Sequence, residues 1–260
     1  MKLSKKVLIS SILISACTLV FAQADVEDPY LEEEETSVES EYLNDAEGEI
    51  ISALAAAEDL DSKLVALQYL QDALDGGNTS EAVIKSLDRL AGEGITSETR
   101  VNGRLMNNFP EIRRDACLMM AKVPTEHSQK MLKDIALADK EPMVIAAAVK
   151  SLGEINIKAD ETAEAIAFAN RSNRILNPTS SLALEVLNAF ELLADSVEDK
   201  TSMIDEITKI SGNPNYVLPV RQKALKLLKS MRDSGNGSSS SKNSSSSNNS
   251  SSASTEVSEK

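Results

Sequence analysis

One frame recurs through the middle of the chain: a helix start at or near proline, followed by apolar and small residues at helical spacing. Proline fits the first turn of a helix, where its missing N–H costs no hydrogen bond. A helix with a single apolar stripe must bury that stripe against a neighbour. The recurrence therefore predicts a stack in which each repeat packs on the next. The frame occupies residues 110–121, 142–153, 181–190 and 219–228.

An alanine occupies the same place in each frame, and an apolar residue follows it about one turn later. The four alanines are separated by 32, 35 and 41 residues, and each gap contains a second segment with helical periodicity: 125–138, 161–176 and 199–211. Each frame and the segment after it are therefore expected to form a helix pair. The expected repeat core consists of Ala116, Ala148, Leu152, Ala183, Leu187, Ala224 and Leu228.

A weaker copy of the frame precedes these four. Residues 63–70 place Ala66 in the alanine position, and 80–91 would be the partner helix. The 50 residues from Ala66 to Ala116 indicate an insertion over 93–110, in which we expect a short helix near 99–107. Residues 45–57 are expected to form a capping helix. No stretch between 45 and 233 shows convincing strand alternation, so the predicted class is all-α.

The frame resembles the first helix of HEAT repeats, which follows the pattern Pro-x-Val-Arg-x-x-Ala-x-x-x-Leu. Pro219, Val220 and Arg221 with the later alanine and leucine match it closely, Ile112 and Arg113 match in part, and the copy at Ala183 lacks both proline and arginine. The resemblance covers about residues 59–232. It implies a right-handed α-solenoid of about four to five helix pairs over residues 45–233. It also implies a protein-binding scaffold, because HEAT-like solenoids usually serve that role.

The N-terminus has the pattern of an export signal over residues 1–24. Three lysines precede the apolar run 7–21, which is followed by Ala22-Gln-Ala24, so cleavage is expected before Asp25. An alternative is a lipoprotein signal, because the segment 14–17 resembles a lipobox and Cys17 would become a lipid anchor. Both interpretations place the chain outside the cytoplasm. We expect a periplasmic location, or else a lipid-anchored or secreted protein, with no transmembrane span after cleavage.

The acidity of the chain is concentrated near its N-terminus. The formal net charge is −14, and residues 25–49 contain twelve acidic residues and no lysine or arginine. We expect residues 25–44 to be a disordered acidic segment, either a solubilising leader or a docking segment for a basic partner. Residues 234–260 are rich in serine and asparagine and are expected to be a disordered tail. The overall acidity argues against a nucleic-acid partner.

Chemistry-bearing residues are sparse. The sequence has one histidine, His127, no tryptophan, and none of the common catalytic motifs. We therefore expect no enzymatic activity and no cofactor. The basic residues of the frames are the candidate partner-binding residues: Arg113, Arg114, Arg221, Lys223 and Lys226.

The sequence thus predicts an exported, non-catalytic scaffold that binds a protein partner of unknown identity. The alternative is a structural component or lipoprotein of a larger envelope assembly. An enzyme or enzyme accessory is the third and weakest hypothesis.

Overall fold

A computed structural model of the chain describes residues 38–96 and 98–236. The proposed export signal, most of the acidic segment and the tail beyond residue 236 lie outside the described residues. The described part is helical apart from one short hairpin, which agrees with the all-α prediction. Its elements are α1 (Val38–Ala56), α2 (Leu60–Asp75), α3 (Glu81–Ala91), β1 (Arg100–Val101), β2 (Arg104–Leu105), α4 (Pro110–Met120), α5 (Glu126–Ala138), α6 (Pro142–Ile155), α7 (Ala159–Leu176), α8 (Ser180–Leu193), α9 (Thr201–Gly212) and α10 (Leu218–Asn236).

The helices from α2 onward form two rows. In the first row, α2, α4, α6, α8 and α10 each pack on the next member, and in the second row α5, α7 and α9 do the same. Each second-row helix also contacts the first-row helix that follows it. A frame helix inside the first row therefore has neighbours before it, after it and in the other row. This packing buries its apolar stripe, as the recurrence required.

Small residues allow the first row to pack closely. The four frame alanines, Leu152 and Leu187 are fully buried, whereas Leu228 is only partly buried and its neighbour Leu227 is the more buried leucine. A Cβ at Gly153 of α6 would lie 2.7 Å from the Ala189 Cα of α8, so these two helices touch through their backbones. The core of the first row is thus built from close backbone approach.

Buried polar side chains link the second row. Gln129 of α5 donates through Nε2 to the Thr162 Oγ1 at the start of α7, at 2.8 Å. Asn170 of α7 donates through Nδ2 to the Glu206 Oε1 of α9, also at 2.8 Å, and the Arg174 Nε lies 3.2 Å from the same oxygen. Gln129, Thr162, Asn170 and Glu206 are buried and each makes a hydrogen bond, which lets a core tolerate them. The Glu206 Oε2 has no hydrogen-bond partner among the described residues and lies 3.8 Å from the Arg171 Nε.

Helix α1 begins earlier than expected. Residues 38–44, predicted to be disordered, form its first turns, and α10 continues through residue 236 into the predicted tail. Ile51 and Ala55 are fully buried and account for the later turns. The helix was predicted only from residue 45 because residues 25–44 were assigned by their acidity, although Val38, Tyr42 and Leu43 lie among them.

The insertion contains a hairpin and not the expected helix. Arg100 pairs with Leu105 and Val101 with Arg104 across a two-residue turn at Asn102-Gly103. Both turn residues have positive φ, 50° and 79°. Asn-Gly is the sequence that most favours such a turn, because both residues tolerate the left-handed region. The prediction of a helix over 99–107 was wrong because this dipeptide was not weighed.

Candidate functional site

Arg113 was predicted to bind a partner, and its position in the structure contradicts this. The side chain is 3 % exposed. Its Nε and Nη2 donate to the two oxygens of Asp139, at 2.7 and 3.2 Å. Its Nη1 donates to the Glu93 carbonyl at 3.2 Å and to the Asn108 Oδ1 at 2.9 Å. Since the guanidinium is enclosed and engaged on every nitrogen, Arg113 is a structural residue of the core.

A second buried ion pair lies beside it. The Lys63 Nζ of α2 is 2.9 Å from the Glu93 Oε2 and also donates to the Ala55 carbonyl at 3.1 Å. The other Glu93 oxygen accepts from the Asn107 Nδ2 at 2.8 Å, and the Asn107 Oδ1 accepts from the Thr99 N–H. This network, with the Arg113 pair, fastens both ends of the insertion to α2 and α4. Its members are far apart in sequence, so no local spacing revealed it.

Arg114 is the more accessible arginine of α4, but its charge is locally compensated. It makes a two-pronged contact with Asp115, with Nε–Oδ1 and Nη2–Oδ2 distances of 2.6 and 2.9 Å. This carboxylate raises the pKa of the Arg114 guanidinium, so the arginine stays charged. The surface there presents a neutral pair and does not form a basic patch.

The three basic residues predicted on α10 lie in different surroundings. Lys223 bridges to α8, with its Nζ 2.6 Å from the Asn188 Oδ1 and 2.8 Å from the Glu191 Oε2. Arg221 is partly buried, and its Nε has no hydrogen-bond partner among the described residues. Lys226 is exposed. The structure therefore assigns Lys223 to stacking and leaves Lys226 accessible to a partner.

An open groove lies between α9 and α10. Its volume is about 530 Å³. Leu225 and Ile204 are 57 % and 42 % exposed there, which is high for apolar side chains grouped in one concave surface. We call this surface the end groove; it is lined by Ile204, Leu225, Leu228, Lys229, Met231 and Arg232.

The end groove is open because α10 is the last first-row helix among the described residues. Five residues after the frame alanine, α6 has Gly153, which touches Ala189 of α8, and α8 has Asn188, which accepts from α10. The corresponding residue of α10 is Lys229. It lines the groove and faces no following helix within the described part of the chain. The surface that elsewhere contacts the next repeat is here exposed.

The end groove was not predicted from the sequence. Leu228 was expected in the repeat core, and Leu225 and Lys229 were not among the predicted site residues. The position after the frame alanine gives only a weak signal, because it holds the fully buried Val149 in α6 but the 37 % exposed Leu184 in α8, a helix that α10 follows.

The other features of the described surface are weaker candidates for a functional site than the end groove. A cleft of about 320 Å³ beside the hairpin is lined mainly by polar residues that include the engaged Arg113 and Asp139. His127 lies 2.6 Å from Asp88 in an exposed pair linking α5 and α3. Within the described ranges, no cluster of three metal-ligating side chains occurs. No described helix has the length and apolar character needed to cross a membrane.

No family model matches the chain, and no curated protein or solved structure matches it either. The fold and site define the class: an all-α protein of stacked helix pairs with an apolar and basic groove at one end of its rows.

Proposed function

We propose that this protein is an exported, non-catalytic scaffold that binds a protein partner through its end groove. In this proposal the rows form a right-handed α-solenoid of about four to five HEAT-like helix pairs. The recurring frame, with its alanine and proline positions, supports that architecture. Packing of each first-row helix on the next supports it as well.

The observation behind the binding function is the exposed apolar surface of α9 and α10. Terminal repeats of stacked proteins usually carry a polar outer face, because no further repeat covers them. Here Leu225 and Ile204 occupy that face and remain half-exposed. Covering such side chains on association is favourable, at about 25 cal/mol for each Å² removed from water. A partner that fills the groove would complete the packing that the next repeat supplies elsewhere.

The N-terminal residues support export, and the mass of the N-terminus of the mature protein tests it. Cleavage after Ala24 gives a mature chain that starts at Asp25, whereas a diacylglyceryl group on Cys17 gives the lipoprotein form. That form favours the second candidate function, a structural component of an envelope assembly. Release on osmotic shock supports the periplasmic scaffold, and co-sedimentation with the envelope supports the alternative.

Site-specific photo-crosslinking tests the binding function. A photoreactive side chain replaces Leu225 in the full-length protein, made in the cells that normally produce it. The matched control replaces Leu192 of α8, which is also exposed but lies outside the groove lining. We expect a specific crosslinked protein from position 225 and none from 192. A chain that crosslinks to no protein from these positions or from Phe168 and Ile175, two other exposed apolar residues, contradicts the proposed function.

A further inference from the structure

We propose that the occupant of the end groove is an acidic amphipathic helix of the partner protein. This inference rests on the proposed protein-binding function and names the chemistry of the segment that is bound. A groove between two helices suits a third helix, which inserts apolar side chains at intervals of three or four residues. The distinguishing feature of this groove is the combination of apolar and basic residues along its length.

The apolar part of the surface has the extent of a helix. Leu218 and Leu225 are both exposed and are seven residues apart on α10, which places them on the same side. Arg232 continues that side after another seven residues. From residue 218 to residue 232 the helix rises about 21 Å, enough to contact about four turns of a partner helix.

The open side of α10 is opposite the side that stacks on α8. Lys223 reaches α8, and Leu225, two residues later, is rotated from it by about 200°. An occupant of the groove therefore leaves the Lys223 contacts to Asn188 and Glu191 in place. In the middle of the stack such a groove is filled by the next second-row helix, since α7 contacts both α5 and α6, and α9 contacts both α7 and α8.

Charge determines which helix fits. The charged residues that line the groove are Lys229 and Arg232, both basic. Lys226 is exposed on the same helix. Three acidic residues lie on these helices: Asp205, which is paired with Lys209 at 2.5 Å, the buried Glu206, which is bonded to Asn170 and Arg174, and the exposed Asp233. Carboxylates flanking the apolar stripe of a partner would meet Lys229 and Arg232, which form no ion pair within the described ranges. This favours an acidic helix and disfavours a basic one.

Two other occupants fit less well. A second copy docked symmetrically through the same groove would bring Lys229 and Arg232 of both copies together, and like charges across an interface oppose association. Residues 237–260 of this chain are dominated by serine and asparagine and lack an apolar run that could supply anchors. An acidic segment of another protein satisfies both the apolar and the charged part of the groove.

A peptide titration on the full-length protein tests the inference. The probe is a fluorescent helix of about 18 residues, with leucines on one side and glutamates flanking them. Its control has lysines in place of the glutamates. By anisotropy at physiological ionic strength, we expect the acidic peptide to bind at least about tenfold more tightly, with an affinity that falls as salt is added.

Variants locate the site. Leu225→Asp is expected to weaken acidic-peptide binding by about tenfold or more, whereas Leu192→Asp on α8 leaves it unchanged. The double variant Lys229→Glu/Arg232→Glu should invert the preference, so that the lysine peptide binds better. This inversion remains informative even if Leu225→Asp unfolds, since both replaced side chains line an open surface.

Three outcomes overturn the inference. They are equal binding of the two peptides, no effect of the groove variants, or a dimer that Leu225→Asp converts to a monomer in sedimentation. The last outcome would make a second copy the occupant. If a partner crosslinks at Phe168 but not at position 225, the inference fails together with the end groove as the binding surface, while protein binding by the stacked helices stands. If no position crosslinks to a protein, the binding function fails as well.

Discussion

The junction around the hairpin and the seam between α6 and α8 both bring first-row helices together, but they use different chemistry. At the junction, Arg113 is paired with Asp139 and Lys63 with Glu93, all in the interior. At the seam, Gly153 meets Ala189 through backbone and Cβ atoms. The junction depends on specific charge partners, whereas the seam depends on residues with little or no side chain.

The difference shows how a repeat accommodates an insertion. A buried charge is costly unless a partner and hydrogen bonds compensate it, so each member of the junction dictates where its partner lies. Such groups can fix an irregular loop that no repeat pattern positions. A small-residue seam imposes only close approach, which suffices where one frame helix follows another.

Ala148→Asp gives the largest expected loss of stability. Ala148 is fully buried in the apolar part of the first row, so the carboxylate would have no compensating partner. We expect the free energy of unfolding to fall by about 5 kcal/mol or more. Urea denaturation followed by circular dichroism measures this. The same substitution at the exposed Ala53 is the control, and wild-type stability of Ala148→Asp would mean that the described packing is wrong.

Arg113→Met breaks the junction. Removing the guanidinium leaves Asp139 buried and unpaired, which should cost about 3–5 kcal/mol. The double variant Arg113→Met/Asp139→Leu should recover part of that loss, because an apolar pair needs no charge partner. Denaturant titrations of the three variants form a double-mutant cycle. A double variant as unstable as the sum of the single ones would show that the two residues do not interact.

Gly153→Ala tests the seam. The new methyl group would lie 2.7 Å from the Ala189 Cα, so the two helices must move apart, at a cost of about 1–3 kcal/mol. Gly212→Ala is the matched control, since a Cβ there meets no atom within 4 Å. Thermal melting should show a lower Tm for the first variant only. Equal melting of both would contradict the close approach of α6 and α8.

Cys117 of α4 is buried, and its thiol interacts electrostatically with Asp139 and Arg113 of the junction. Burial raises the pKa of its thiol, the nearby Asp139 raises it further, and Arg113 partly offsets the shift. The folded chain therefore keeps this proton at a pH where the unfolded chain releases it, near pH 8.5 and above. Stability is expected to fall above that pH by up to about 1.4 kcal/mol per unit. Cys117→Ala should lose this part of the pH dependence, and an unchanged slope would exclude the thiol as its source.

Much of the fold could be predicted from sequence because the frame is local. The starts of α4 and α6 at Pro110 and Pro142 follow from residues next to one another in the chain. The Arg113 environment could not be predicted, because its partner Asp139 is 26 residues away and the insertion contributes the rest. Nothing in the arginine itself distinguishes an enclosed ion pair from a partner-binding residue.

The end groove could be predicted from the sequence only in part. The apolar residues of α10 were recognised, but periodicity does not say whether a neighbour covers them. Leu225 lies at the frame position of the buried Val149, but the residue at that position of α8, Leu184, is 37 % exposed although α10 follows it, so the frame position alone does not determine exposure. Lys223 and Lys226, three residues apart, were treated alike although one bridges to α8 and the other is exposed.

Hydrogen exchange on the full-length protein, with and without the acidic peptide, tests most directly whether the open end of the rows is the binding surface. We predict slower exchange in α9 and α10, centred on residues 218–232, and no change in the hairpin at 100–105. Protection confined to the hairpin and the polar cleft beside it, or no protection anywhere, would contradict the assignment of the end groove.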